Sequence, residues 1–379
     1  MAGREALLTL PPVVIGAGPA GLAAAAELKR RGFDPIVLER ADCVGSAWRD
    51  RRYDRLRLHT VRRLSGLPGA RIPRAYGRWV TRDDFRAYLD EFARANGIHP
   101  RFGVEALRIE RENDGWRVET VDGPVGAHAV VVATGYSNDP WVPDWPGRTS
   151  FTGELVHSAD YRNPVPYAGK SVLVVGAGNS GAEIAVDLVE GGAETVWLSV
   201  RTPPNIVRRD RFGIPSQLIG IAVQPLPTRA LNVVGRTLRR LTVPDLSDYG
   251  LPAPWDGYTQ LERTGTVPIL DVGIVDAVRS RRVTVVAAVE RFDGAHVVLV
   301  DGSRVRPDVV VAATGYRPAL EPLVGHLGLL DERGSPVVQG AETHPDAPGL
   351  YFVAMSIRLG GLVRAAAREA GAAARAIAA

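Results

Sequence analysis

The stretch "VVIGAGPAGLAAAAELKRRGFDPIVLER", Val13 to Arg40, reads as an apolar strand, a glycine turn, an alanine-rich helix and a second apolar strand ending on an acid. The strand is Val13 to Ile15, the turn Gly16 to Gly21, the helix Ala20 to Arg31 with Gly32 as its stop, and the second strand Ile36 to Leu38. A strand, a crossover helix and a strand within about thirty residues imply a parallel sheet covered by helices. A second stretch, "LVVGAGNSGAEIAVDLVEGGAETVWLSVR" from Leu173 to Arg201, repeats the plan.

Each glycine turn is a cradle for a diphosphate. The start of a helix offers unpaired N–H groups and a favourable dipole to an anion, and a Cβ at the turn would hold the phosphate off the backbone. The cradle residues are Gly16, Gly18, Pro19, Ala20 and Gly21 in the first copy, and Gly176, Gly178, Asn179, Ser180 and Gly181 in the second. Both copies follow a strand and open a helix, which is the context that gives the pattern its meaning.

The ends of the second strands separate the two cradles. Glu39 stands 23 residues after Gly16, where a carboxylate accepts hydrogen bonds from an adenosine ribose and repels a 2′-phosphate; Arg40 follows it. The same count from Gly176 reaches Ser199, which repels nothing, and Arg201 lies two residues on, on the same side of an extended strand. The first cradle therefore suits FAD and the second NADPH.

A second repeat runs through the chain: "VVVATGY" at Val130 to Tyr136 and "VVVAATGY" at Val309 to Tyr316, each after one cradle. The turns Thr134–Gly135 and Thr314–Gly315 are expected beside the two nucleotides. The order cradle, turn, cradle, turn predicts an α/β protein of two Rossmann-like dinucleotide-binding domains, the NADPH domain inserted into the FAD domain. The expected division is 1–165 for the first part of the FAD domain and 166–304 for the NADPH domain. An insertion at about 203–268 is expected to line the substrate, and 305–379 completes the FAD domain.

Other elements follow from periodicity and caps. Thr81 to Ala95 reads as a helix, with Thr81 and Asp84 as a capping box, Phe85, Leu89 and Phe92 on one face and Asn96–Gly97 as the stop. A meander over Leu107 to Arg111 and Trp116 to Thr120 follows. Strands are expected at Val283 to Ala288 and Val297 to Val300, with helices over Thr228 to Leu241 and from Leu362 onward. The Thr228 helix is basic and mildly amphipathic, which suits an ordinary packed surface helix.

Composition bounds the remaining options. At 379 residues, 45% apolar and 23% charged, the chain has the make-up of a globular protein with well-buried cores. The net charge of +4 is spread along the chain, and Lys29 and Lys170 are its only lysines, so the basic excess is not a nucleic-acid surface. The arginine-rich runs Arg49 to Arg63 and Arg201 to Arg211 flank the places where anionic cofactors would sit. Cys43 is the single cysteine, which allows neither an internal disulfide nor a redox pair, and no metal cluster is expected. No apolar run approaches the ~18 residues of a membrane span, so a cytoplasmic protein without membrane insertion is expected, with a homodimer left open. Trp48, in "VGSAW" after Cys43, is placed to pack near a flavin ring, which leaves dioxygen rather than a disulfide as the electron acceptor.

The sequence resembles the class B flavin-containing monooxygenases. "FTGELVHSADY" carries Phe151, Gly153, His157 and Tyr161 in the fingerprint F-x-G-x-x-x-H-x-x-x-[YF], just ahead of the second cradle. Gly16, Gly18, Gly21, Glu39, Gly45 and Trp48 match the family's FAD half; Gly176, Gly178, Gly181 and Arg201 match its NADPH half. The resemblance implies that NADPH reduces FAD and that the reduced flavin adds dioxygen to give a C4a-(hydro)peroxyflavin. That species oxygenates a small organic substrate: a 2-oxo acid, a ketone or aldehyde, or an amine or sulfide. It implies functional roles for His157 and Tyr161, with His157 helping to join the domains. The alternative is an NADPH-dependent flavin reductase or oxidase without monooxygenation.

Within the family the spacing LH-x7-LP, Leu58-His59 to Leu67-Pro68, resembles the indole-pyruvate monooxygenases of the plant auxin pathway and their bacterial relatives, which adds His59 to the candidate cofactor residues. Tyr161 stands where the Baeyer–Villiger branch usually has Trp. Val61 follows Thr60 where many amine- and sulfide-oxidising members carry asparagine.

Overall fold

The computed structural model describes residues 10–211, 213–223, 227–252, 254, 267–356 and 360–379. The expected insertion at about 203–268 lies partly outside the described residues. Two compact units emerge: 1–50, 60–139 and 316–379 form the first, and 51–59 with 140–315 form the second.

The first unit is built on a five-stranded parallel sheet. Its order is Leu350–Phe352, Val130–Val132, Val13–Ile15, Ile36–Glu39 and Arg101–Phe102. Val13, Val14, Val130 and Val132 have no exposed surface, as the uninterrupted valine runs of a sheet covered on both faces require. The first cradle helix, Pro19–Lys29, starts on the turn that leaves the central strand, with proline at its first position where no N–H is needed. The C-terminal helix Leu362–Ile377 packs along it, and both helices bury several alanines. The helix Arg82–Ala95 begins as its cap predicts: the Thr81 hydroxyl accepts from the Asp84 N–H at 3.1 Å. The meander is present as Ala106–Glu112, Gly115–Thr120 and Val125–Ala127.

The second unit repeats the plan. Its parallel sheet runs Thr284–Val286, Thr195–Ser199, Ser171–Val175, Val309–Ala312 and Glu154–His157, with the cradle strand again in the centre. The second cradle helix is Asn179–Glu190. Ile206–Arg208 pairs in parallel with Ile269–Asp271 and closes the base of the insertion, whose helix spans Thr228–Thr242.

Two features differ from the expected division. The fingerprint strand Glu154–His157, expected within the first domain, pairs with Val309–Ala312 and so belongs to the second unit, and the crossings fall at Asp139/Pro140 and Gly315/Tyr316. Residues 51–59 also belong to the second unit, although residues of the first precede and follow them. No helix among the described residues is long and apolar enough to cross a membrane.

Candidate functional site

The three glycines of each cradle answer to different causes. Gly16 has φ +105°, and a Cβ on it would stand 2.7 Å from the Ala133 carbonyl oxygen; Gly176 has φ +110° and would meet the Ala313 oxygen at 2.5 Å. Those two are required by the backbone itself. A Cβ on Gly21 would lie 1.8 Å from the Gly16 oxygen, and on Gly181 1.9 Å from the Gly176 oxygen, so the helix can approach its own turn only with hydrogen there.

Gly18 and Gly178 are unlike the others. Their backbones are extended (φ −79°, ψ −176°; φ −92°, ψ −175°), which any residue adopts, and a Cβ would meet no atom of the described residues within 4 Å. Within the described residues only their N-cap position favours glycine, and by a small margin. The open space leaves the backbone there accessible to a group such as the diphosphate of a dinucleotide.

Glu39 is buried, with 6% of its surface exposed. One carboxylate oxygen accepts from the Ala17 N–H at 2.7 Å inside the glycine turn, and the other from the Ala41 N–H at 3.0 Å. A carboxylate has about four acceptor positions, so capacity for a ribose hydroxyl remains. Arg40 reaches the Asn138 side-chain oxygen at 2.9 Å. In the second unit Ser199 is buried and donates its hydroxyl to the Ala287 carbonyl at 2.9 Å, while Arg201 is exposed. No acid stands at this strand end to repel a 2′-phosphate.

The two threonine turns also differ. Thr134 has a buried hydroxyl oxygen with no hydrogen-bond partner among the described residues, next to the Ala133–Thr134 backbone that faces Gly16. An orphaned buried hydroxyl is costly, and a polar ligand in the first cradle would satisfy it. Thr314, by contrast, donates to the Trp141 carbonyl, so its hydroxyl is engaged within the protein. Gly135 and Gly315 take φ +88° and +92° to make the two turns.

Trp48 meets the ring of Phe85 edge-on at 4.6 Å, which anchors it to the helix Arg82–Ala95. Gly45, at φ +61°, is held by close packing: a Cβ would stand 2.8 Å from a methyl of Leu89.

The fingerprint residues fasten the second unit. Phe151 packs edge-on against Phe292 at 5.1 Å, and a Cβ on Gly153 would collide with the Phe151 ring and with the Asp308 oxygen. His157 accepts the Ala159 N–H on Nδ1 at 3.0 Å, which places the ring proton of the neutral imidazole on Nε2, where it donates to the Gly315 carbonyl at 3.0 Å. Tyr161 is fully buried and donates to Asp187 at 2.8 Å. Burial first, then the negative charge of Asp187, raises the Tyr161 phenol far beyond the range in which it could titrate. Through these bonds His157 is tied to the Thr314–Gly315 turn and Tyr161 to the second cradle helix.

A polar cluster on the second cradle helix was not legible in the sequence. Glu183 and Asp187 lie one turn apart, at 5% and 8% exposure. Glu183 takes a hydrogen bond from the Tyr53 hydroxyl at 2.9 Å and pairs with His59 Nε2 at 2.8 Å; Asp187 pairs with Arg55 at 3.0 Å as well as with Tyr161. Burial, then the charge of Glu183, pushes the Tyr53 phenol well above its ordinary value. His59 is thus held by the second unit's helix. Asn179 spends its side chain on the protein too, accepting from the Leu270 N–H at 2.8 Å and donating to the Pro268 carbonyl at 3.3 Å, which ties the returning strand of the insertion to the cradle. The available signal was two carboxylates at i and i+4 in the otherwise apolar run "GAEIAVDLV".

Comparison with known proteins agrees with this reading. Residues 13–209 match the family described as pyridine nucleotide-disulphide oxidoreductase. The indole-3-pyruvate monooxygenase YUCCA1 of Oryza sativa is 38% identical over 91% of this chain and 86% of its own length. The probable indole-3-pyruvate monooxygenase YUCCA3 of Arabidopsis thaliana is 34% identical over 92% and 83%. Among solved structures, a flavin-containing monooxygenase from Stenotrophomonas maltophilia superposes with a TM-score of 0.73 at 26% identity, over 98% of this chain and 99% of that one. The fold alone is broader, since a bacillithiol disulfide reductase of Staphylococcus aureus reaches 0.71 at 16% identity. With both cradles, the fingerprint and these relatives together, the chain belongs to the class B flavin monooxygenases and is an FAD- and NADPH-dependent monooxygenase.

Proposed function

We propose that the protein oxygenates an aromatic 2-oxo acid. The observation that carries this is the similarity to indole-3-pyruvate monooxygenases over nine-tenths of the chain. Val61 after Thr60 and Tyr161 at the end of the fingerprint support it, because the amine-, sulfide- and ketone-oxidising patterns differ there.

FAD is held by the first cradle: Gly18 gives the diphosphate its approach, Glu39 receives the ribose and Thr134 offers its unpartnered hydroxyl. NADPH is held by the second cradle, with Gly178 under the diphosphate and Arg201 on the 2′-phosphate. The bound cofactors supply the electrons that divide dioxygen between product and water. For a 2-oxo acid, one oxygen atom enters the new carboxylic acid, the carbon–carbon bond to the old carboxylate breaks and carbon dioxide leaves; the other oxygen atom becomes water. His157 and Tyr161 hold the turn and helix around the nucleotide. The dependence on NADPH supports a cytoplasmic site of action.

The test is NADPH consumption and ¹⁸O₂ labelling with purified enzyme, across aromatic 2-oxo acids, ketones, amines and sulfides. One ¹⁸O in the decarboxylated acid, with NADPH and product in equal amounts, is the expected result. Coupled oxygenation of amines or sulfides with none of 2-oxo acids would overturn the substrate class.

A further inference from the structure

Segment 51–59 is flanked in sequence by the FAD unit but is bound to the NADPH helix by side chains whose chemistry is specific. Glu183 occupies the fifth position of the helix Asn179–Glu190, and helical side chains lean toward the N-terminus, so its carboxylate reaches back over the first turn. There it meets the Tyr53 hydroxyl and His59. Ser180, the second residue of the helix, acts electrostatically on the same phenol. The hydrogen-bonded chain is His59, Glu183, Tyr53, all gathered over the first turns of the helix. The first of these turns is the one whose N–H groups have no intrahelical partner.

A buried carboxylate one turn from an anion site opposes the anion and is expensive to desolvate. A leucine would serve packing better. The charge is tolerated because His59 pairs with it and because Arg209 and Arg52 act on the same group and its phenol partner. What the carboxylate contributes is a fixed acceptor for Tyr53 and His59, which ties residues 51–59 to the start of the helix.

We propose that Tyr53, His59 and Glu183 are positioning residues for NADPH: residues 51–59 form a strap that holds the first turns of the second cradle helix in the geometry that receives the diphosphate. His59 thereby acts for NADPH and not for FAD. This rests on the assignment of NADPH to the second cradle. The strap acts on the diphosphate, which NADP⁺ and NAD⁺ share, so its loss weakens both alike, whereas loss of Arg201 separates them.

The test is calorimetric titration of the FAD-loaded enzyme with NADP⁺ and with NAD⁺. Tyr53→Phe keeps the shape and removes one hydroxyl; it should weaken both nucleotides by about three- to tenfold and leave the FAD content unchanged. His59→Gln should weaken NADP⁺ with FAD retained. If the wild type binds NADP⁺ and Tyr53→Phe binds it equally well, the strap has no positioning role. Loss of FAD from His59→Gln with NADP⁺ affinity intact would also overturn it. A wild type that binds no NADP⁺ would instead refute the cofactor assignment beneath it.

Discussion

Gly18→Ala should produce a stable protein that has lost its flavin. The backbone at Gly18 is extended and a new Cβ meets no protein atom within 4 Å, so the substitution introduces no clash. Alanine narrows the unfolded ensemble, worth about 0.4–1 kcal/mol in favour of folding, and is a poorer helix cap than glycine by a similar amount, so the two cancel to within about 1 kcal/mol. The effect on FAD is of another size. A methyl group in the turn displaces the diphosphate from the backbone amides, and each charge-assisted bond lost is worth about 1.5–3 kcal/mol. Losing two amounts to about 3–6 kcal/mol, or roughly a hundred- to ten-thousandfold in affinity at 1.4 kcal/mol per tenfold. Gly21→Ala gives the contrast: its Cβ would lie 1.8 Å from the Gly16 oxygen, so the turn must open and the fold itself loses stability, by about 1–3 kcal/mol or more. Flavin absorbance per protein gives occupancy, and denaturant unfolding of the flavin-free proteins gives stability without the contribution of bound ligand. Full FAD occupancy in folded Gly18→Ala, or a stability loss matching that of Gly21→Ala, would refute the division of labour among the glycines.

Two further outcomes concern the cofactors. Arg201→Ala should weaken NADPH by about ten- to a hundredfold and leave NADH nearly unchanged, the size of one lost charge-assisted phosphate contact; titration with both nucleotides checks this, and equal losses would remove Arg201 from the 2′-phosphate. Thr134→Val replaces the unpartnered buried hydroxyl with a methyl group of the same shape, so the flavin-free protein should be as stable or slightly more stable while FAD binds more weakly by about three- to tenfold; unfolding and flavin titration of the same samples read both.

Both βαβ units were legible because strand, glycine turn, helix and strand are local, and each carries its own period and stop. The helix Arg82–Ala95 was legible for the same reason, through Thr81. The strap was not. Tyr53 and Glu183 are 130 residues apart, and hydrogen bonds between such partners leave no periodic trace. The same holds for Thr134 and Thr314: the two "ATG" turns read alike, and only the distant Trp141 carbonyl distinguishes the engaged hydroxyl from the orphaned one. The fingerprint was recognised as a pattern, but its physical meaning needed the fold. Phe151 fills a core, Gly153 admits a neighbouring strand, His157 holds a turn and Tyr161 holds a helix.

Because this fold is shared with a disulfide reductase, the choice between oxygen and disulfide chemistry has to rest on particular side chains, and Cys43 is where the two can be told apart. Thiol–disulfide exchange needs a thiolate to attack and a second thiol to release the mixed disulfide. The chain has one cysteine. Burial raises the Cys43 thiol above its ordinary value, with Asp42 and Asp50 adding to the effect and Arg49 opposing it, so at neutral pH the sulfur keeps its proton. A protonated, solitary thiol is a poor redox group even beside a flavin. Cys43→Ser should therefore keep FAD content, NADPH consumption and oxygenated product all close to the wild-type values, within about twofold, since a half-buried thiol and a hydroxyl differ little in size. The measurements are flavin absorbance, NADPH oxidation and product yield on matched preparations, together with NADPH oxidation driven by a small disulfide in the absence of oxygen. If the serine variant retains its flavin but loses NADPH turnover, or if the wild type reduces disulfides and the variant does not, then Cys43 takes electrons and the reductase reading returns.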